Sequence, residues 1–136
     1  MVKGISFLLS LTAAFSLGAA TVVTAQKYTD SSQRQEQHRA DLSGAEDMEV
    51  IVSVAEYQPG ETIRRHYHHG LEAAYVINGA EVAAPGKGPF TLPTGKTVLN
   101  LRDAAHGGLT VTGEQTLSLF TVHIVDKHEP LYDYVD

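Results

Sequence analysis

The sequence predicts an all-β chain: antiparallel strands closed into a small barrel, or a jelly roll that joins a second copy through an edge. Three observations predict it. Residues rich in β-branched and aromatic side chains fall into about eight short runs, separated by turn dipeptides. No stretch carries the apolar period of an amphipathic helix. A chain this short cannot leave long apolar edges open without self-association, which favours closure or edge pairing.

Taken in order, the first strand is expected over 49–57, where Val50, Ile51, Val52 and Val54 precede the turn signal Gln58-Pro59-Gly60. Residues 62–69 form a polar strand and 72–77 the next, closed by Asn78-Gly79, a strong hairpin dipeptide. Short strands at 81–84 and 90–92 flank the loop 85–89, and Pro93-Thr94-Gly95 turns the chain. A strand at 97–101 leads to a bend at 103–105. A strand at 109–111, a turn at 112–114 and the longest run, 116–125, complete the set. The tail, 126–136, is polar and aromatic and is expected to lie along the surface.

The N-terminal third has a different texture. A short basic start, an apolar stretch over 5–17 and small residues up to Ala25 form the three-part pattern of a secretory signal peptide. Cleavage is expected after Ala25, with Ala20 the second candidate. An uncleaved anchor is the alternative, but the apolar core is short and rich in Ser, Thr and Ala for a spanning helix. The protein is therefore expected to be exported, periplasmic or extracellular, with no stable membrane anchor after cleavage. Residues 26–48 read as a polar arm, flexible over 26–37. The barrel is expected over 49–125.

Removing residues 1–25 takes away one lysine and no acid. The remaining 111 residues carry 9 basic and 16 acidic side chains, a net charge of −7. That balance excludes a nucleic-acid partner, which needs a basic face, and disfavours anionic membrane surfaces. With no cysteine in the chain, there is no disulfide framework, thiolate metal site or cysteine nucleophile. Any metal must be held by His, carboxylate and water.

The chemistry concentrates between Gly60 and Gly79. Side chains alternate faces along a strand, so His66 and His68 share one face, together with Arg64 and Thr62, while Arg65, Tyr67 and His69 take the other. Gly70-Leu71 turns the chain and Glu72 opens the neighbouring strand, where it can return beside His68. Two imidazoles and a carboxylate with open positions suit non-haem iron, and also manganese, nickel, copper or zinc. For two histidines alone, a polar, exposed hairpin with histidines by chance is the favoured explanation. Glu72, the turn residues on either side and a further histidine downstream favour the metal.

This stretch resembles the first motif of the cupin superfamily: Gly, five residues, His-x-His, three or four residues, Glu, six residues, Gly. Gly60, His66, His68, Glu72 and Gly79 stand at those spacings. The second motif runs Gly, five residues, Pro-x-Gly, two residues, His, three residues, Asn. Gly95 and His106 match it. Leu101, Asp103 and Thr110 stand where it has proline, glycine and asparagine. The 15 residues from Ala80 to Thr94 between the motifs are similar to the gap of compact microbial cupins, and the resemblance covers 49–125. It implies a small single-domain cupin of the conserved-barrel type: an antiparallel jelly-roll β-barrel whose mouth binds one divalent transition metal (Fe, Mn, Ni, Zn or Cu) through His66, His68, Glu72 and His106.

Other residues are assigned from the sequence with less weight. Arg64, on the expected inward face, would suit an anionic group of a substrate or pair with Glu61 or Glu81. Tyr57 and Tyr75 are expected in the core. His69 should face away from the site, His123 should face solvent, His38 is expected to be solvated, and His128 lies in the polar tail. The functional expectation is an exported metal-dependent barrel acting on a small molecule by oxygenase, isomerase or lyase chemistry, as a homodimer. The rivals are a non-catalytic metal or ligand binder and a structural protein with an unused site.

Overall fold

The computed structural model describes residues 30–136. The expected signal peptide, 1–25, and the start of the expected arm lie outside the described residues. Eleven strands are formed: β1 (Arg34–Asp41), β2 (Met48–Tyr57), β3 (Thr62–Ile63), β4 (His66–Tyr67), β5 (Gly70–Asn78), β6 (Ala80–Ala83), β7 (Phe90–Leu92), β8 (Thr97–Asn100), β9 (Leu109–Val111), β10 (Leu117–Asp126) and β11 (Asp133–Tyr134). They pair antiparallel throughout. One sheet has five strands in the order β1-β2-β10-β5-β8, a second has four in the order β3-β9-β6-β7, and β11 pairs with β4. The described residues are all-β, as the patterning predicts, and form the jelly-roll barrel.

Alternation along β2 and β10 decides what lies inside. Glu49, Ile51, Ser53, Ala55 and Tyr57 are the buried residues of β2, and Leu117, Thr121, His123 and Val125 those of β10. Register places Ser53 opposite Thr121, and His123 between Ile51 and Glu72. The inner face thus has three bands. One apolar cluster joins Ala55, Tyr57, Val76 and Leu117 to Ala80, Val82 and Val111 of the second sheet. Burying each of these larger aliphatic side chains contributes roughly 1.5–3 kcal/mol. At the other end, Ile51 and Val125 pack with Leu131 and Tyr132. Between them run Ser53, Thr121, His123, Glu72, His66 and His68, all buried and all polar.

Several expectations are corrected. Asn78-Gly79 does not make a hairpin, because β5 pairs with β10 and β8 while β6 pairs with β7 and β9. The dipeptide carries the chain from one sheet to the other. Glycine is needed there for close approach: a Cβ on Gly79 would meet the Leu92 carbonyl oxygen at 2.5 Å and the Thr94 nitrogen at 2.6 Å. The polar run 62–69 is two short strands in different sheets, β3 and β4, with Arg64 and Arg65 at the break. The stretch expected as an arm contributes β1, an edge strand whose Arg34 turns inward. Its guanidinium pairs with Asp30 (Nε to Oδ1, 2.7 Å) and donates to Ser53 Oγ at 2.7 Å. Tyr75, expected in the core, stands on the outer face of β5 and is exposed. The tail does not simply lie on the surface, since it supplies β11 and the buried pair Leu131 and Tyr132.

Candidate metal centre

His66 and His106 come together through their backbones. The His66 N–H donates to the His106 carbonyl at 2.9 Å, and the His106 N–H to the His66 carbonyl at 2.8 Å. His68 follows two residues later on the same face, and Glu72 projects inward from β5. The imidazole centroids of His66, His68 and His106 lie 4.3–4.9 Å apart. One donor atom from each of His66, His68, Glu72 and His106 lies within 4.8 Å of the others.

The path into His106 resolves a departure in the second motif. Asp103, which stands where that motif has glycine, has φ of 58°, the one positive value among the described non-glycine residues. Aspartate tolerates this left-handed conformation better than most side chains. The Asp103 N–H donates to the His68 carbonyl at 3.0 Å, tying the loop to the ligand strand.

Hydrogen bonds fix which nitrogen each ring presents. A carbonyl can only accept, so the ring nitrogen facing it carries the proton. His66 Nδ1–H donates to the Arg64 carbonyl at 2.6 Å, His106 Nδ1–H to Ala104 at 2.9 Å, and His68 Nδ1–H to Leu131. Each Nε2 is left as a lone pair, and all three Nε2 atoms are buried without a hydrogen-bond partner. Tethering of the far nitrogen is the arrangement by which proteins orient metal-binding imidazoles.

Glu72 adds a carboxylate to these three acceptors. Its Oε2 lies 3.1 Å from His106 Nε2 and 3.6 Å from His68 Nε2, and it accepts from Asn100 Nδ2 at 2.7 Å. Burial pushes the Glu72 carboxyl up, but the contacts with His106, His123 and His68 outweigh it and hold the group well below the usual carboxylate range. Burial is also the main cause that takes His66 down to about 4. His106 moves the other way: burial lowers it, and the Glu72 contact with the Ala104 hydrogen bond raises it further. Lone pairs this close repel unless a proton or a cation sits among them. The donor set fits a divalent transition metal, which His66, His68, Glu72 and His106 would hold.

Two functional neighbours escape the sequence. His123, expected to face solvent, is 0% exposed. His123 is opposite in parity to the apolar Val122 and Ile124, yet the inward set of β10 is Leu117, Thr121, His123 and Val125. His123 Nε2 lies 3.4 Å from Glu72 Oε1, behind the cluster. The sequence signal was available in the buried phase set by Leu117 and Val125, but the neighbouring valine and isoleucine masked it. Tyr132 is the second, its ring packed 4.6 Å from His66 and 5.0 Å from His68. His69 faces away as expected and bonds Asp133 through Nε2 at 2.7 Å.

Arg64 does not share the inward face. The strand breaks beside it, and its guanidinium lies 3.9 Å above the Tyr134 ring. It stands, exposed, in a pocket of about 280 Å³ that His66 and Tyr132 also line. On the other side of His66 lies an inner cavity of about 250 Å³ that meets Glu72 and His106.

Comparison with solved structures decides the fold. A Klebsiella pneumoniae subsp. pneumoniae MGH 78578 protein, described as an uncharacterized conserved protein with a double-stranded β-helix domain, matches with a TM-score of 0.55. The match has 18% identity and covers 81% of this chain and 92% of that one. A cupin-like protein from Thermotoga maritima matches with a TM-score of 0.52 at 18% identity, over 75% of this chain and 74% of that one. This chain has the cupin fold. A cupin 2 conserved barrel domain protein from Rhodopseudomonas palustris gives a TM-score of 0.53 at 14% identity, over 76% and 66% of the two chains. No family model matches the sequence, and neither does any curated protein. The cupin barrel places the first-motif residues and His106 at one site, where they could form a metal centre.

Proposed function

We propose that this protein is an exported cupin that binds one divalent transition metal through His66, His68, Glu72 and His106 and acts there on a small molecule, by oxygenase, isomerase or lyase chemistry. The observation that carries the reading is the convergence of three buried, unpartnered Nε2 atoms on the Glu72 carboxylate. A metal held there would supply Lewis acidity or a binding position for oxygen. The chain's own residues do the rest. Carbonyls of Arg64, Ala104 and Leu131 keep each imidazole oriented, Asn100 holds one carboxylate oxygen, and Tyr132 covers the cluster from water. The same geometry serves a non-catalytic metal or ligand binder, which is the second reading.

Export rests on the N-terminal pattern of residues 1–25, and a homodimer on the apolar outer face of the five-stranded sheet. There Tyr75, Leu99 and Phe120 are exposed on adjacent strands.

Metal analysis with turnover tests the reading. Protein purified without chelators is expected to carry about one equivalent of a transition metal per chain. Resupplying the stripped protein with metal at 100 times Kd should add about 2.7 kcal/mol, a rise in Tm on the order of 10 °C. His106→Ala should abolish most of that rise. No bound metal and no shift with Mn²⁺, Fe²⁺, Ni²⁺ or Zn²⁺ would remove both metal readings. Turnover of a panel of phenols, thiols and organic acids by the loaded protein separates enzyme from binder.

A further inference from the structure

Among the described residues, the wall of the inner cavity beside the candidate centre carries no lysine or arginine. It is lined chiefly by aliphatic side chains, among them Ala55, Ala74, Val76, Leu109 and Leu119. Its charged end is Glu72, at the cluster. Two tyrosines, Tyr57 and Tyr132, complete the wall, and both are buried. Arg64 stands outside, stacked on Tyr134. Thr121 also lines the cavity, and its buried hydroxyl has no partner among the described residues.

These features select against charge. An anionic group placed on this wall would lose its hydration and find no partner. Apolar surface placed there is removed from water, which favours binding in proportion to the area buried. A cavity of about 150 Å³ is already enough to hold benzene, so about 250 Å³ admits one substituted ring or a short branched chain.

We propose that the ligand of this site is a small molecule with an uncharged, largely apolar body: its head group meets the His66, His68, Glu72 and His106 cluster, and its body fills the cavity between Ala55, Ala74, Val76 and Leu119. The head-group half rests on the metal reading above; the body half does not. Thr121 leaves room for one hydrogen-bonding substituent on that body.

Hydroxamates test it, because head group and body vary separately. Protein loaded with Co²⁺ is titrated with acetohydroxamate, benzohydroxamate and 4-carboxybenzohydroxamate, following the visible absorption of the cobalt. The phenyl body should bind about tenfold tighter than the methyl body, equivalent to about 1.4 kcal/mol, and the carboxylated ring should lose that gain. Ala74→Leu, which fills the cavity, should cancel the phenyl advantage while cobalt content and acetohydroxamate affinity hold. Leu109→Phe replaces it if Ala74→Leu yields little folded protein. Equal affinity for the three bodies, or preference for the carboxylated one, overturns the proposal with the metal reading intact. If the protein takes up no cobalt, the metal reading fails and phenol is titrated calorimetrically into the metal-free protein. Saturable binding that Ala74→Leu abolishes then upholds the cavity half, and no saturable binding overturns it.

Discussion

His123 shows how much a single buried side chain can decide. Its ring is fully enclosed, 4.6 Å from His68, with neither nitrogen bonded to another protein group at full hydrogen-bond geometry. Its Nε2 faces Glu72 Oε1 at 3.4 Å, while Oε2 faces the imidazoles. His123 therefore positions the carboxylate without itself joining the four donors, as outer hydrogen-bond partners of metal ligands do. His123→Leu should lower metal affinity on the order of 10–100-fold, measured by competition with a chelator. The same variant should leave the Tm of the metal-free protein unchanged or raised, because a buried polar group without a good partner costs stability. A fall of both in parallel would make His123 a packing residue only. At this scale the sequence identifies the donors but not their support. Spacing brings out His66, His68 and Glu72, yet nothing local reveals that Asn100, Leu131 and His123 hold them.

Among the elements, the C-terminal tail carries more than its polar composition suggests. β11 pairs with β4, register joining Tyr134 to His66 and Asp133 to Tyr67. Just before it, the Leu131 carbonyl accepts from His68, and Tyr132 packs on the two histidines while closing the Ile51–Val125 cluster. One short segment thus connects core packing to ligand orientation. Tyr132→Ala should cost roughly 3–5 kcal/mol by the usual range for buried aromatics, read as a fall in Tm, and should weaken metal binding as well. Loss of stability with metal affinity intact would separate the tail from the site. The tail was illegible because its eleven residues hold only two short apolar pairs, Leu131-Tyr132 and Tyr134-Val135, neither long enough to read as a strand. The strand that pairs with it, β4, lies more than sixty positions away in sequence.

At the scale of the whole molecule, the outer face of the five-stranded sheet stands out. Cross-strand register sets Phe120 against Tyr75 and Ala73 against Leu99, so neutral apolar side chains adjoin across β10, β5 and β8. In a chain of net charge −6, an uncharged face is where two copies meet with least repulsion. Phe120→Lys is expected to convert a dimer to a monomer in light scattering with the Tm of the isolated barrel little changed. A wild-type protein that scatters as a monomer at all concentrations would remove the dimer. Tyr75 on this face was misread from sequence for the same reason as His123. Val122 and Ile124 on β10, and Tyr75 on β5, are apolar residues on the outside, and alternation shows two faces without saying which is buried.

The sequence by itself determined the fold class and three candidate donors, His66, His68 and Glu72, since both rest on local chemistry: β-branched runs cut by turns, and histidine and glutamate at strand spacing; His106 was implied by the resemblance to the second cupin motif. Asp103 shows its reach, because an aspartate in a left-handed turn still delivers His106 to the cluster. Only the tertiary structure decided which face of each strand is inside, that Asn78-Gly79 passes between sheets, that Arg64 stays out while Arg34 turns in, and that His123 and Tyr132 support the centre. Those choices depend on pairing between strands far apart in sequence. The net burial of the whole barrel settles them, and a single strand's pattern leaves both faces open.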